Sequence, residues 1–316
     1  MNRRKFLKLG CASTLAVAAN PALAATNKAG GSVSVAAVQI NGYDKVGNCP
    51  EGTDPAGVLL PHIQAAGKSS TDLLVFPEYH LGRIAIPGPE TARIAQAVKQ
   101  QNLYVIVGAW ELLAGGKFAN AALLFGRNGD IVGKYYKTHA AVDKFDEKDV
   151  PWTAPPAGRD RSWFLGNDPE WIMEKGQDLP VFPLDFATIG ILTCYDGWFP
   201  EPWRVLSLKG AEIVVWINGR GGAIEDYIVR SAMFQNEIHV ITANQAYGAG
   251  TMIGQYPNVI LEQLKKPGQG SIKAELDMKT LRSARAHSRN LAQRRPELYK
   301  TLTEPGVNRK RYLGTE

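Results

Sequence analysis

Short apolar, β-branched runs alternate along the chain with longer stretches whose apolar positions recur at helical spacing. Ser32 to Ile40 is nearly continuous in Val, Ala and Ile, and Asp72 to Phe76 is a second such run, so both predict buried strands. Between them Pro55 to Ala66 predicts a helix, as does Glu90 to Gln101. Strand pattern returns at Leu103 to Ala109. Ala119 to Phe125 and Ile131 to Tyr136, joined across Asn128-Gly129, predict a hairpin. Pro151 to Pro169 is rich in Pro, Gly and Asp and reads as irregular. Beyond it Phe182 to Thr193 predicts a strand, Glu201 to Lys209 a helix, Glu212 to Ile217 a strand, Ile224 to Asn236 a helix and Ile238 to Ala243 a strand. Asn258 to Gln263 and Gly270 to Leu276 read as a last strand pair. The alternation predicts one mixed α/β domain without a linker or an internal repeat.

Composition changes this picture mainly at the amino terminus. The chain has 316 residues, 45% hydrophobic and 21% charged, which excludes disorder and coiled coil. Its formal charge of +6 leaves nucleic acid, an anionic surface or an acidic substrate open as partners. Residues 1–25 carry Arg3, Arg4, Lys5 and Lys8, then a short apolar stretch, then Ala22-Leu23-Ala24, the order of a removable export signal. The stretch from Leu9 to Ala19 is too short to span a bilayer, which takes about 20 apolar residues, so no permanent membrane anchor is expected. Arg3-Arg4 followed by Lys5-Phe6-Leu7-Lys8 resembles a twin-arginine signal, which implies a periplasmic or secreted protein exported after folding. Losing this segment takes the net charge from +6 to +2. The remaining basic cluster, Arg282 to Arg311, has no nucleic-acid motif beside it and reads as a solvated or subunit-facing tail.

Three places carry chemistry. In Ile189-Gly190-Ile191-Leu192-Thr193-Cys194-Tyr195-Asp196-Gly197-Trp198-Phe199-Pro200-Glu201 an apolar strand runs into a cysteine, and a turn then opens a helix. A cysteine there is either a buried structural residue or a nucleophile whose thiolate the helix-terminal N–H groups stabilise. Glu201 is expected to cap the helix. Glu78, in Leu73-Leu74-Val75-Phe76-Pro77-Glu78-Tyr79, ends a second apolar run. Partial desolvation would raise its proton affinity and suit it to general base and acid work, the alternative being a solvated loop acid. Lys137, in Gly133-Lys134-Tyr135-Tyr136-Lys137-Thr138-His139, closes a hairpin strand and is either an exposed strand end or a fixed cation for an oxyanion. The five histidines have no zinc-like spacing, no G-x-S-x-G occurs, and Gly248, Gly250 and Gly254 are misplaced for a dinucleotide.

Together these motifs, in this order, resemble the nitrilase superfamily of carbon–nitrogen hydrolases. The likeness runs from about Val33 to about Leu302 and includes Arg230 to Asn244 and Arg294 to Tyr299. It implies a four-layer αββα sandwich over 32–285, with 286–316 a C-terminal tail, and a homodimer or larger homo-oligomer. It implies Glu78, Lys137 and Cys194 as the catalytic set, with the Tyr195 backbone N–H helping Lys137 hold an oxyanion and no metal or organic cofactor. A second glutamate that orients the lysine is implied as well. Glu170 takes that place, with Glu147 the alternative. Cys194-Tyr195-Asp196 is closer to the amidase and N-carbamoyl-amide hydrolase branches than to Cys-Trp-Glu nitrilases, so a small amide or carbamoyl substrate is expected. A nitrile substrate, or a non-catalytic binding protein on the same fold, is the alternative. Trp198, Trp216 and Asn218 either line the pocket or pack beside it. Cys49 and Cys194 are both expected to be free thiols.

Overall fold

The computed structural model describes residues 31–41, 53–142, 155 and 157–304. The amino-terminal half gives β1 (Ser32–Gln39), α1 (Pro55–Lys68), β2 (Leu73–Val75), β3 (Arg83–Ile84), α2 (Pro89–Gln101), β4 (Tyr104–Leu112), β5 (Phe118–Phe125) and β6 (Ile131–Tyr136). Then come α3 (Arg161–Asn167), β7 (Val181–Pro183), β8 (Thr188–Thr193), α4 (Pro200–Leu208), β9 (Ile213–Ile217), α5 (Asp226–Asn236) and β10 (His239–Ala243). The last elements are β11 (Thr251–Gln255), β12 (Val259–Leu264), β13 (Gly270–Asp277), α6 (Met278–Ala286) and α7 (Arg289–Ala292).

Two sheets form. One runs β13-β1-β2-β4-β5-β6 with β3 beside β4, the other β12-β11-β10-β9-β8-β7. Their central strands are apolar on both faces because both faces are covered. Leu73, Val75 and Ile106 of the first sheet and Ile189, Ile191, Ile213 and Val215 of the second share the core between the sheets. The alternate residues Leu74, Val105 and Val107 pack outward against Leu59 and Ile63 of α1 and Ile94 and Val98 of α2. Val214 and Val240 do the same against Leu206 of α4 and Val229 and Met233 of α5. The period-two switch of side chains therefore gives each central strand two dry faces and the molecule four layers, αββα. Helix starts follow local chemistry: Asp54 accepts the Gly57 N–H at 2.9 Å, and Pro55 opens α1 where its missing N–H costs nothing.

Some expectations need correction. The run Phe182 to Thr193 is two strands, β7 and β8, because the chain reverses at Leu184–Ala187, closed by the Leu184 N–H to the Ala187 carbonyl at 3.0 Å. The two runs expected as a last pair join different sheets: β12 pairs with β11 and β13 with β1. Within the stretch read as irregular, Asp160 accepts the Trp163 N–H and starts α3. Glu201 lies in the first turn of α4 but does not cap it, since Phe199 is the capping residue and its side chain makes no capping bond. Arg282 is no tail residue: it pairs with Glu212 at 2.6 Å and donates to the Phe186 carbonyl at 2.7 Å.

Candidate active site

In the first sheet β2, β4 and β6 run the same way, and in the second β8, β9 and β10 do. Their carboxyl ends are where the chain turns out of the core. There the backbone stops pairing and polar side chains emerge.

Glu78 follows β2. Its backbone is clamped from the other sheet: its N–H donates to the Asn218 carbonyl at 3.3 Å, and its carbonyl accepts from Gln245 Nε2 at 2.8 Å. Gly108 of β4 lets this corner lie flush, since a Cβ there would stand 2.5 Å from both Glu78 Cα and Tyr79 N. The carboxylate is only 1% exposed and accepts from Asn120 Nδ2 at 2.7 Å and Lys137 Nζ at 3.1 Å. Lys137 leaves β6 with its backbone N–H on the Asn120 carbonyl at 2.9 Å, and its fully buried ammonium also meets Glu170 Oε1 at 2.6 Å. Glu170, in a single turn at Pro169–Trp171, accepts in addition from Tyr79 Oη and from the Ala141 N–H.

Cys194 follows β8 with φ 47°, in the left-handed region that non-glycine residues seldom adopt. Its carbonyl accepts from Trp216 Nε1 at 2.7 Å, and its thiol is free. Gly197, three residues past Cys194, leaves room for the Trp216 ring, which an added Cβ would meet at 2.3 Å. Glu78, Lys137, Glu170 and Cys194 all line one cavity of about 540 Å³, with Tyr79, Asp168, Gly219, Arg220 and Tyr247 completing its wall.

Burial sets the protonation of these groups. It pushes the Glu78 carboxyl above its ordinary value, helped by Glu170 and opposed by Lys137 and Asn120. Burial works against the Lys137 ammonium, but Glu170 and Glu78 outweigh it and hold its pKa well above the usual lysine value. The Cys194 thiol is driven up by burial and by Glu78, with Lys137 and Arg220 pulling the other way. The resting site therefore holds a protonated sulfur beside a carboxylate of raised proton affinity. Such a sulfur needs a base to become a nucleophile, and the Glu78 carboxylate lines the same cavity.

The remaining sequence candidates lie elsewhere. The Tyr195 ring lines a neighbouring hollow of about 660 Å³ with His139, Trp171, Lys175 and Phe199. Trp198 is 53% exposed, its ring tilted against Tyr195 with the Arg220 guanidinium over it, outside the cysteine cavity. Asn218 is wholly buried, and its side chain donates to the Trp216 carbonyl at 3.0 Å. Trp216 is buried behind Cys194. Glu147 and Cys49 lie outside the described residues. Sequence reasoning missed Asn120, Tyr79 and Arg220 as parts of the site. Asn120 sits mid-strand in β5 among apolar residues, and an isolated amide in a buried strand was the available signal.

The sequence model of the family described as carbon-nitrogen hydrolase matches residues 34–286. A protein described as a hydrolase in the pqqF 5′ region of Pseudomonas protegens is 29% identical over 289 residues, covering 81% of this chain and 89% of its own length. An omega-amidase of Xenopus tropicalis is 28% identical over 237 residues, covering 71% of this chain and 78% of its own. Among solved structures, a carbon-nitrogen hydrolase from Helicobacter pylori G27 superposes with TM-score 0.68 at 17% identity, covering 87% of this chain and 100% of that one. An amidase from Nesterenkonia sp. superposes with TM-score 0.64 at 16% identity, covering 85% and 96%. These two share the fold.

Proposed function

The chain belongs to the carbon–nitrogen hydrolase family and is a hydrolase of carbon–nitrogen bonds, and from that premise we propose that it cleaves a small amide or N-carbamoyl amine through a thioester-type intermediate on Cys194. The observation that carries this reading is the buried ammonium of Lys137, held between Glu78 at 3.1 Å and Glu170 at 2.6 Å on the wall of the cavity that receives Cys194. A cation fixed this way costs no reorganisation when negative charge develops beside it.

In the proposed sequence Glu78 takes the thiol proton as Cys194 Sγ bonds to the carbonyl carbon, and the carbonyl electron pair moves onto oxygen. Lys137 and the Tyr195 backbone N–H hold that oxyanion. As the carbonyl reforms, the C–N bond breaks and Glu78 returns the proton to the departing ammonia or amine. Water then attacks the acyl carbon while Glu78 takes its proton, and collapse expels the sulfur, which recovers the proton from Glu78. Glu170 serves this cycle by fixing Lys137. The amide reading is supported by the likeness to omega-amidases and to amidases of the same fold. The proposed steps draw on no cofactor.

The deciding experiment measures ammonia release by the mature protein from short amides, N-carbamoyl amines and nitriles, with Cys194→Ala as control. Release from amides or carbamoyl amines that vanishes in Cys194→Ala is the expected result. Unchanged release in Cys194→Ala sinks the nucleophile, and release from nitriles alone sinks the substrate class.

A further inference from the structure

Lys137 and Cys194 come from different sheets. Lys137 is tied by its ammonium to Glu78 and Glu170, while Cys194 is tied through its carbonyl to Trp216. Neither set of bonds joins the lysine arm directly to the cysteine arm. What joins them is Asp196, two residues past the cysteine and wholly buried.

Its Oδ1 accepts the backbone N–H of Thr138 at 3.2 Å, the Thr138 hydroxyl at 2.9 Å, the backbone N–H of His139 at 2.8 Å and His139 Nδ1 at 2.9 Å. Its Oδ2 accepts the Tyr135 hydroxyl at 2.7 Å and the backbone N–H of Thr193 at 3.1 Å. Tyr135, Thr138 and His139 bracket Lys137, and Thr193 immediately precedes Cys194. One carboxylate thus gathers five donors from the lysine arm and one from the cysteine's own strand. A side chain whose only task was to finish the turn at Cys194 would need the Thr193 contact alone.

We propose that Asp196 is a positioning residue: it fixes the separation of the Lys137 ammonium and the Cys194 sulfur by binding both arms to one buried carboxylate. This rests on the reading of Cys194 as nucleophile and Lys137 as oxyanion partner. Backbone N–H groups cannot rotate away, and each oxygen of Asp196 faces at least one of them, Thr138 and His139 at Oδ1 and Thr193 at Oδ2. Only a group that accepts at both ends fits, which is an ionised carboxylate. An asparagine has nearly the same shape, yet whichever way its amide turns, its NH₂ confronts a fixed N–H. The arms must then part, and a displacement near 1 Å at a reacting pair costs about 100-fold in rate.

The test compares wild type, Asp196→Asn, Tyr135→Phe and Cys194→Ala in three measurements: kcat and KM for the best substrate, the rate of Cys194 alkylation by iodoacetamide as a function of pH, and the melting temperature. Asp196→Asn should lose about 100-fold in kcat with little change in KM. Its alkylation profile should move to higher pH, because Lys137 no longer holds the sulfur's pKa down, although Glu78, Glu170 and Arg220 still face it. Tyr135→Phe removes one donor and leaves the backbone N–H groups in place, so it should show a smaller shift in the same direction with a loss under about tenfold. It carries the test if Asp196→Asn does not fold. Wild-type kcat, or a lower melting temperature with an unmoved alkylation profile, overturns the positioning role. Activity in Cys194→Ala overturns the underlying nucleophile reading instead, and the alkylation profile still reports on the positions of the two arms.

Discussion

In the proposed chemistry the acid–base work falls to Glu78. Its carboxyl is held above the ordinary value of 4.5, burial being the largest cause, and the proposed chemistry needs it ionised. The rate should therefore fall on the acid side at a pH above the usual glutamate range, and a kcat/KM profile flat down to about pH 4 contradicts the assignment. Stability runs the other way. A carboxyl whose pKa rises on folding binds its proton more tightly in the folded chain, so its contribution is full below the unfolded value and is lost as pH rises through the folded one. At neutral pH ionised Glu78 is thus a cost. Glu78→Gln removes that charge, while Lys137 keeps its shorter pair with Glu170 and is not left uncompensated. The expected variant is inactive with an unchanged or higher melting temperature. A fall of more than about 5 °C, roughly the effect of 1–2 kcal/mol in a domain this size, argues that Glu78 is structural.

At the scale of elements, the site is a set of strand ends brought to one edge by parallel direction within each sheet. That much was legible: apolar runs that stop at Glu78 and Cys194 mark where strands dry on both faces end, and Lys137 closes the half-exposed edge strand β6. The turn that splits Phe182 to Thr193 was hidden because Leu184, Phe186 and Ala187 stay buried through it. β11 went unread because Gly250 and Gly254 flank and interrupt a strand otherwise apolar only at Met252 and Ile253. α6 went unread because its apolar stripe is Met278 and Leu281 among charges, held by Arg282 and Arg285 binding across to Glu212 and to the Ala211 and Ser207 carbonyls. The close approach of β4 to the Glu78 corner, which no periodicity reveals, gives a prediction at this scale. In Gly108→Ala the new methyl meets backbone atoms at 2.5 Å, and these cannot rotate aside as a side chain would. The corner must move, costing about 1–3 kcal/mol of stability and at least about tenfold in rate through misplaced Glu78. Thermal unfolding and the ammonia assay check both, and a fully active Gly108→Ala removes the account of how β4 seats the base.

For the whole molecule, the two sheets are laced together at the carboxyl-terminal end: the chain leaves β12 in one sheet, enters β13 in the other beside β1, and returns through α6 onto the first of these. The ladder between β1 and β13 starts at the pair Ser32 and Asp277, so a cut near residue 25 takes nothing from it. This bears on the net charge, because four of the six positive units lie at Arg3, Arg4, Lys5 and Lys8, in a segment we propose to be an export signal rather than part of the enzyme. A twin-arginine route carries folded protein, and a site assembled from strand ends as distant as Glu78 and Cys194 must be complete before such export. The chain lacking residues 1–25 should therefore match the full chain in melting temperature within about 2 °C and in ammonia release. In cells, the periplasmic form should begin near Thr26, and replacing Arg3 and Arg4 together by lysine should leave a folded, active precursor in the cytoplasm, since a signal read by its guanidinium pair is not met by ammonium groups. Undiminished export of the double-lysine chain rules out the twin-arginine route. An intact Met1 on the periplasmic protein rules out a cleaved signal of either kind.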